Sequence, residues 1–184
     1  MILVVGHKNP DSDSICSALV AAELLKARGL EAKAVRQGEI NRETQHILNV
    51  AGVEQPELRT SVAGEQVWLV DYTDLAQAPD DLNQAEILGI VDHHRLGDVM
   101  TVNPLEAWIW PVGCTSTILF NLFKMENAEI TRPLALLMIS AILSDTVGFA
   151  SPTCTQKDRD AVAELAVLAG ITDLEGFIKA LLIA

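Results

Sequence analysis

The residues best suited to chemistry in this 184-residue chain are histidines and aspartates gathered in four short runs. In GHKNPDSDS, residues 6–14, the carboxylates of Asp11 and Asp13 lie two positions apart and His7 lies four before the first of them. An irregular loop with that spacing can aim all three side chains into one crevice. Imidazole combined with several carboxylates suits Mn²⁺, Co²⁺, Fe²⁺ or Zn²⁺, whereas Mg²⁺ is held mostly by oxygen. The same Asp11, Ser12 and Asp13 would also make an ordinary helix start, where capping oxygens and negative charge are favoured.

The run Val91-Asp92-His93-His94 sets adjacent imidazoles side by side, so that one can act as a ligand while the other donates a hydrogen bond or a proton. Asp71 follows the apolar run Val67 to Val70, a place where Asp also begins turns. Asp145 closes the apolar segment Leu134 to Leu143 within Ala141-Ile-Leu-Ser-Asp145, and a carboxylate at the negative end of a helix is disfavoured unless a cation lies nearby.

These runs sit where strands and helices would place them. Ile2 to Val5 reads as a strand ending at Gly6, and Ser14 to Arg28 as a helix. Strands are expected at Glu31 to Val35, Val67 to Val70, Ile87 to Val91 and Ala107 to Val112, with helices at Asn41 to Val50 and Thr115 to Glu126. The C-terminal third is helical, over Arg132 to Leu143, Gln156 to Ala169 and Asp173 to Leu182. Such alternation predicts an α/β fold, a mostly parallel sheet flanked by helices, with one domain spanning residues 1–184. Ligands collect beyond the carboxyl ends of parallel strands, and three of the expected strands run into Gly6-His7, Asp71 and Asp92-His93-His94.

Composition narrows the partners. The formal charge of -12 speaks against a basic groove for nucleic acid. No apolar run reaches the roughly 20 residues of a membrane span, and the start does not resemble a signal peptide, so the cytoplasm is the expected compartment. Cys16, Cys114 and Cys154 lack paired spacing and are expected to be buried free thiols. His46 is read as a non-ligand, and Trp68, Trp108 and Trp110 as core or interface. An acidic chain that handled phosphate would need cations, and metal ions would supply them.

Taken in order, GHKNPDSDS, Val70-Asp71, VDHH and SAILSDT (residues 140–146) resemble the signature motifs of the DHH phosphoesterase superfamily. GHKNPDSDSICSA, Trp110-Pro-Val-Gly-Cys-Thr115 and Ser151-Pro-Thr-Cys-Thr155 look like the family II, manganese-dependent inorganic pyrophosphatases in particular. The resemblance implies two divalent ions, manganese first, with cobalt as a substitute and magnesium as a further activator. It assigns His7 and Asp11 to one ion, Asp13 and His93 to the other, Asp71 to both, and Asp145 chiefly to the second. His94 corresponds to a substrate-facing catalytic histidine, and Asp71 has a catalytic part through its shared position. The implied reaction is hydrolysis of pyrophosphate to two phosphates by a homodimeric enzyme.

Two features qualify that picture. Where the family often has VDHNE, this chain has Val70-Asp-Tyr-Thr-Asp74, so Tyr72 replaces a histidine beside Asp71, although a phenol can still donate a hydrogen bond. Two dications and four aspartates nearly cancel, so an anionic substrate needs further Lys or Arg. The resemblance places these in a C-terminal clamping domain, which is not expected within residues 1–184. Weak or absent turnover by this chain alone is the consequence, with Lys8 and Arg95 more naturally solvated than substituting for the clamp. The turn Gly113 to Thr117 could either offer N–H groups to an anion or simply be capped by Thr115. Another DHH phosphoesterase acting on polyphosphate, oligonucleotides or cyclic dinucleotides, and a non-catalytic metal- or nucleotide-binding module, are the competing functions.

Overall fold

A computed structural model describes all residues, 1–184. Six strands form one sheet: β1 (Ile2–Val5), β2 (Ala32–Arg36), β3 (Glu57–Leu58), β4 (Gln66–Val70), β5 (Glu86–Asp92) and β6 (Glu106–Ile109). The spatial order is β3-β2-β1-β4-β5-β6 and every pairing is parallel. Six α-helices accompany them, α1 (Ser12–Ala27), α2 (Arg42–Ala51), α3 (Thr115–Met125), α4 (Arg132–Asp145), α5 (Gln156–Ala169) and α6 (Leu174–Leu182). The α/β class read from alternation is the observed one. Its parallel strands need crossovers, which α1 and α2 supply between β1, β2 and β3; irregular segments join the strands from β3 to β6, and the other four helices follow the last strand.

Side chains alternate across each strand, and the two faces meet different cover. Ile2, Val4, Trp68, Val70 and Val91 face a large apolar core to which all six helices contribute. Leu3, Val5, Val67, Leu69, Ile87 and Ile90 face a smaller one, closed by Val62, Tyr72, Ala78 and Leu82 from irregular segments. Gly89 is the close-approach point of the sheet, because a Cβ there would sit 2.4 Å from the Trp68 ring.

Several bounds differ from expectation, each for a local reason. The first helix begins at Ser12 rather than Ser14, because Asp11 is its N-cap and accepts from the Ser14 N–H at 2.9 Å. The last strand stops at Ile109 rather than Val112, since Trp110 to Gly113 turn toward α3. The two-residue β3 is too short to carry a period and was not foreseen. Cys16 and Cys114 are buried free thiols, whereas Cys154 is only half-buried. No helix is long and apolar enough to cross a membrane.

One buried carboxylate ties the helical layer to the ligand-bearing edge of the sheet. Asp158, fully buried in the first turn of α5, accepts from the N–H and hydroxyl of Thr155, from the Thr117 hydroxyl and from the Gly113 N–H. Gly113 must be glycine for this approach, as a Cβ would lie 2.9 Å from the Asp158 carboxylate. Asp158→Ala removes a capping box and strands a buried N–H, so we expect a loss of about 2–4 kcal/mol in urea unfolding. A loss below about 0.5 kcal/mol, the range of ordinary surface changes, would contradict this role.

Candidate metal centre

The ends of β1, β4 and β5, three adjacent strands, deliver His7, Asp71 and the Asp92-His93-His94 run to one edge of the sheet. The start of α1 brings Asp11 and Asp13 to the same place, and the end of α4 brings Asp145. Asp71 leaves β4 with φ of 71°, a left-handed conformation that Asp tolerates better than most side chains. Its N–H donates to the Val91 carbonyl at 2.9 Å, which anchors the turn to β5.

The resulting geometry has two halves that share Asp71. Its Oδ2 lies 3.2 Å from His7 Nε2, which is also 3.4 Å from Asp11 Oδ1. Its Oδ1 lies 3.2 Å from His93 Nε2, which is 3.5 Å from Asp145 Oδ2 and 3.7 Å from Asp13 Oδ2. The ligand-capable atoms of His7, Asp11 and Asp71 lie within 4.8 Å of one another, as do those of Asp13, Asp71, His93 and Asp145. All six residues singled out for metal in the sequence thus converge.

Both histidines are oriented by their far nitrogens. His7 Nδ1 lies 2.7 Å from the Lys8 carbonyl and His93 Nδ1 lies 3.0 Å from the Val112 carbonyl. A ring N–H donated to each carbonyl leaves Nε2 facing the carboxylates with a lone pair, which is how metal-binding histidines are usually held. His93 Nε2 is buried and makes no hydrogen bond despite the three carboxylates around it. A buried nitrogen so placed fits a cation better than any protein donor present.

Electrostatics point the same way. Burial opposes charge on Asp13, but the His93 charge, the Ser17 hydroxyl and the Thr115 N–H outweigh it and bring the carboxyl down to about 2. Asp71 is pushed up by burial and by Asp13, and Asp145 well above the carboxylate range by burial and by repulsion from Asp13, Asp71 and Asp11. Burial disfavours the charged form of His7, yet Asp11 and Asp71 raise it to about 11; the same opposition in His93, with Asp71 and Asp13 raising, ends at about 9. Without an ion, protons take up positions that a pair of divalent ions would fill.

The surrounding residues correct several expectations. The N–H groups at the start of α3 do not await an anion: Thr115 N donates to Asp13 Oδ2 at 2.9 Å, Ser116 N to Asp13 Oδ1 at 3.3 Å, and Gly113 N to Asp158. The N-cap residue is Cys114 and makes no side-chain cap bond, so Asp13 caps α3 from another helix, while the Thr115 hydroxyl donates to Asp71 at 3.1 Å. Tyr72 is buried in the smaller core and its hydroxyl has no hydrogen-bond partner, so it donates nothing to the centre. Lys8 pairs with Asp80 at 2.6 Å, and exposed Arg95 makes no ion pair with the cluster. His46 lies on α2, apart from these groups.

Asp92 is the site residue that sequence reasoning passed over. Fully buried, it accepts from the backbone N–H of His93 at 2.8 Å and of His94 at 3.2 Å, and it holds His94 Nδ1 at 2.7 Å. That contact favours the charged form of His94 and raises its pKa. It also leaves the other ring nitrogen of the exposed His94 free to meet a substrate. The signal available was a carboxylate two residues before a histidine at a strand end.

Residues 1–142 match the model of the DHH family, N-terminal domain. Over 172 residues the chain is 48% identical to a protein of Bacillus licheniformis named as a probable manganese-dependent inorganic pyrophosphatase, covering 92% of this chain and 56% of that one. A protein of Deinococcus radiodurans bearing the same name is 48% identical over 185 residues, 100% of this chain and 59% of that one. The crystal structure of a candidate family II inorganic pyrophosphatase of Methanococcus jannaschii superposes with a TM-score of 0.93 at 40% identity, covering 99% of this chain and 60% of that one. The chain therefore spans under two thirds of the length of the relatives it matches.

Proton and metal binding at this site must compete. His7, His93 and Asp145 hold protons in the ion-free protein at neutral pH, and ligation requires them to leave, so affinity for a divalent ion should rise with pH. Titration calorimetry with Mn²⁺ near pH 7 in buffers of different ionisation enthalpy should register proton release. Binding that is indifferent to both buffer and pH would contradict the arrangement.

Proposed function

This chain belongs to the DHH family, and on that premise we propose that it forms the two-ion centre of a manganese-dependent inorganic pyrophosphatase, which hydrolyses pyrophosphate to two phosphates. The observation that carries the reading is the division of Asp71, one carboxylate oxygen toward His7 and the other toward His93. His7, Asp11 and Asp71 would hold one ion, and Asp13, Asp71, His93 and Asp145 the other. Mixed nitrogen and oxygen ligands accommodate Mn²⁺, the ion named for the relatives, with Co²⁺ as a substitute and Mg²⁺ as a further activator. When bound, two such ions supply positive charge to a phosphoryl group and make water a usable nucleophile at neutral pH.

The chain's own residues do the positioning and the proton transfer. Asp13 is held by Thr115, Ser116 and Ser17, so its carboxylate cannot swing away from the centre. Asp92 holds the His94 ring with one nitrogen toward the opening, where it can give its proton to the oxygen of the leaving phosphate.

Charge sets the limit on what these residues do alone. Every ion-pair partner of the cluster carboxylates is a histidine, and two dications with four aspartates nearly cancel. Pyrophosphate needs further cations, which we place in the part of the longer relatives that this chain does not span. Residues 1–184 act in this reading as one metal-binding domain, with slow turnover when unassisted. Three free thiols suit a reducing, cytoplasmic compartment, and the exposed edge of β6 or the apolar end of α6 supports assembly as a homodimer.

Counting bound Mn²⁺ and following phosphate release from pyrophosphate, polyphosphate and a cyclic dinucleotide tests the proposal. Two ions per chain and release confined to pyrophosphate, accelerated by a separately supplied C-terminal domain of a relative, are the expected results. Preference for another substrate would move the chain to a different branch of the family, and two ions without any turnover even with that domain supplied would make it a binding module. Turnover near 10 per second by residues 1–184 alone, about the median for enzymes, would overturn the need for a clamp. Asp71→Ala should bind neither ion. His94→Gln should keep both ions and lose about 10²- to 10⁴-fold in kcat, the usual contribution of a general acid.

A further inference from the structure

The two segments that carry Asp13 and Asp145 are fastened together by a residue outside the ligand set. Glu43 lies in the first turn of α2, half-buried, and accepts hydrogen bonds on a single oxygen, Oε1, from two hydroxyls. One is Ser12, which stands between Asp11 and Asp13 at the start of α1. The other is Ser144, next to Asp145 at the end of α4, at 2.5 Å. Thr44, also in the first turn of α2, adds a 3.0 Å contact between its buried hydroxyl and that of Ser12. The partners are 31 and 101 residues distant in sequence.

This strap has a physical task. Asp13 and Asp145 reside on different helices yet close on the same His93 Nε2, at 3.7 and 3.5 Å, so two carboxylates that would share one ion depend on the start of α1 and the end of α4 being held at a fixed separation. Charge-assisted hydrogen bonds are about twice as strong as neutral ones, and one oxygen shared by two hydroxyls fixes the distance between their chains. We infer that Glu43 is a positioning residue for the metal centre: its Oε1, held by Ser12 and Ser144, sets the separation of Asp13 and Asp145 for a shared ion. The inference rests on the two-ion reading above. It assigns Glu43 no contact with ion or substrate.

Mn²⁺ affinity, measured site by site through titration calorimetry and electron paramagnetic resonance, tests it without recourse to hydrolysis. Glu43→Ala removes the acceptor and should weaken the ion held by Asp13, His93 and Asp145 by about 10- to 100-fold, the usual cost of losing a residue that orients ligands. Glu43→Gln keeps an acceptor oxygen and should stay within about threefold of the unaltered protein, given the small cost of an acceptor preserved. Ser144→Ala, which cuts one arm and endangers folding least, should show the same loss in weaker form, and combining it with Glu43→Ala should add less than the sum. Unchanged affinity in Glu43→Ala or Ser144→Ala overturns the inference, as does a Glu43→Gln loss equal to that of Glu43→Ala, since charge rather than geometry would then be at work. If Glu43→Ala fails to fold, the Ser144→Ala result decides alone. Absence of Mn²⁺ binding in the unaltered protein would instead overturn the two-ion reading, and the inference with it.

Discussion

Like-charge repulsion among Asp13, Asp71 and Asp145, in surroundings that screen charge poorly, is the constraint on which the polar architecture of this protein depends. A soluble protein ordinarily relieves such crowding with Lys or Arg. Here the ion-pair partners are histidines, which can be neutral when a stronger cation arrives. The carboxylates are restrained by groups that carry no full charge: Asp13 by backbone N–H groups and serine hydroxyls, Asp71 by a threonine hydroxyl and a turn fastened to β5. A fixed cation in their place would compete with metal ions, and dipoles do not.

The helix termini are part of the same solution. The positive end of α3 points at Asp13, and Asp158 occupies the neighbouring N–H of Gly113 while it also caps α5. Two buried carboxylates thus take up the N–H groups of one turn, and the Val112 carbonyl in the same turn is left to orient His93. Packing and chemistry are joined at this turn, because the residues that end the sheet and start the helical layer also aim a ligand-capable ring.

What was legible in the sequence is what depends on one residue and its element. His7, Asp71 and His93 could be read because each stands just beyond an apolar run, and Asp145 because a carboxylate is anomalous at the end of an apolar helix. The parallel α/β class followed from the alternation of elements. Contacts set by tertiary placement were not legible. Asp158 and Glu43 look like ordinary first-turn acids, and their partners are far away in the chain. Tyr72 is the opposite case: its neighbour Asp71 suggested a role at the centre, but the left-handed turn at Asp71 directs the phenol into the smaller core. Asp92 was hidden by the two histidines beside it, since whether an acid orients a ring depends on side-chain rotation that no spacing rule records.

The left-handed backbone at Asp71 has a consequence for selectivity. A buried carboxylate whose main chain is set by the turn and whose Oδ1 is held by the Thr115 hydroxyl has little room to rotate, so the span between His7 and His93 would act as a ruler of nearly constant length. Sites built from flexible loops accept ions of many radii by adjusting the number of oxygens around them. A ruler does not adjust, and it discriminates by size before it discriminates by chemistry. The large Ca²⁺ ion, which takes about six to eight oxygens in an adaptable geometry, is the one that such stiffness would most disfavour.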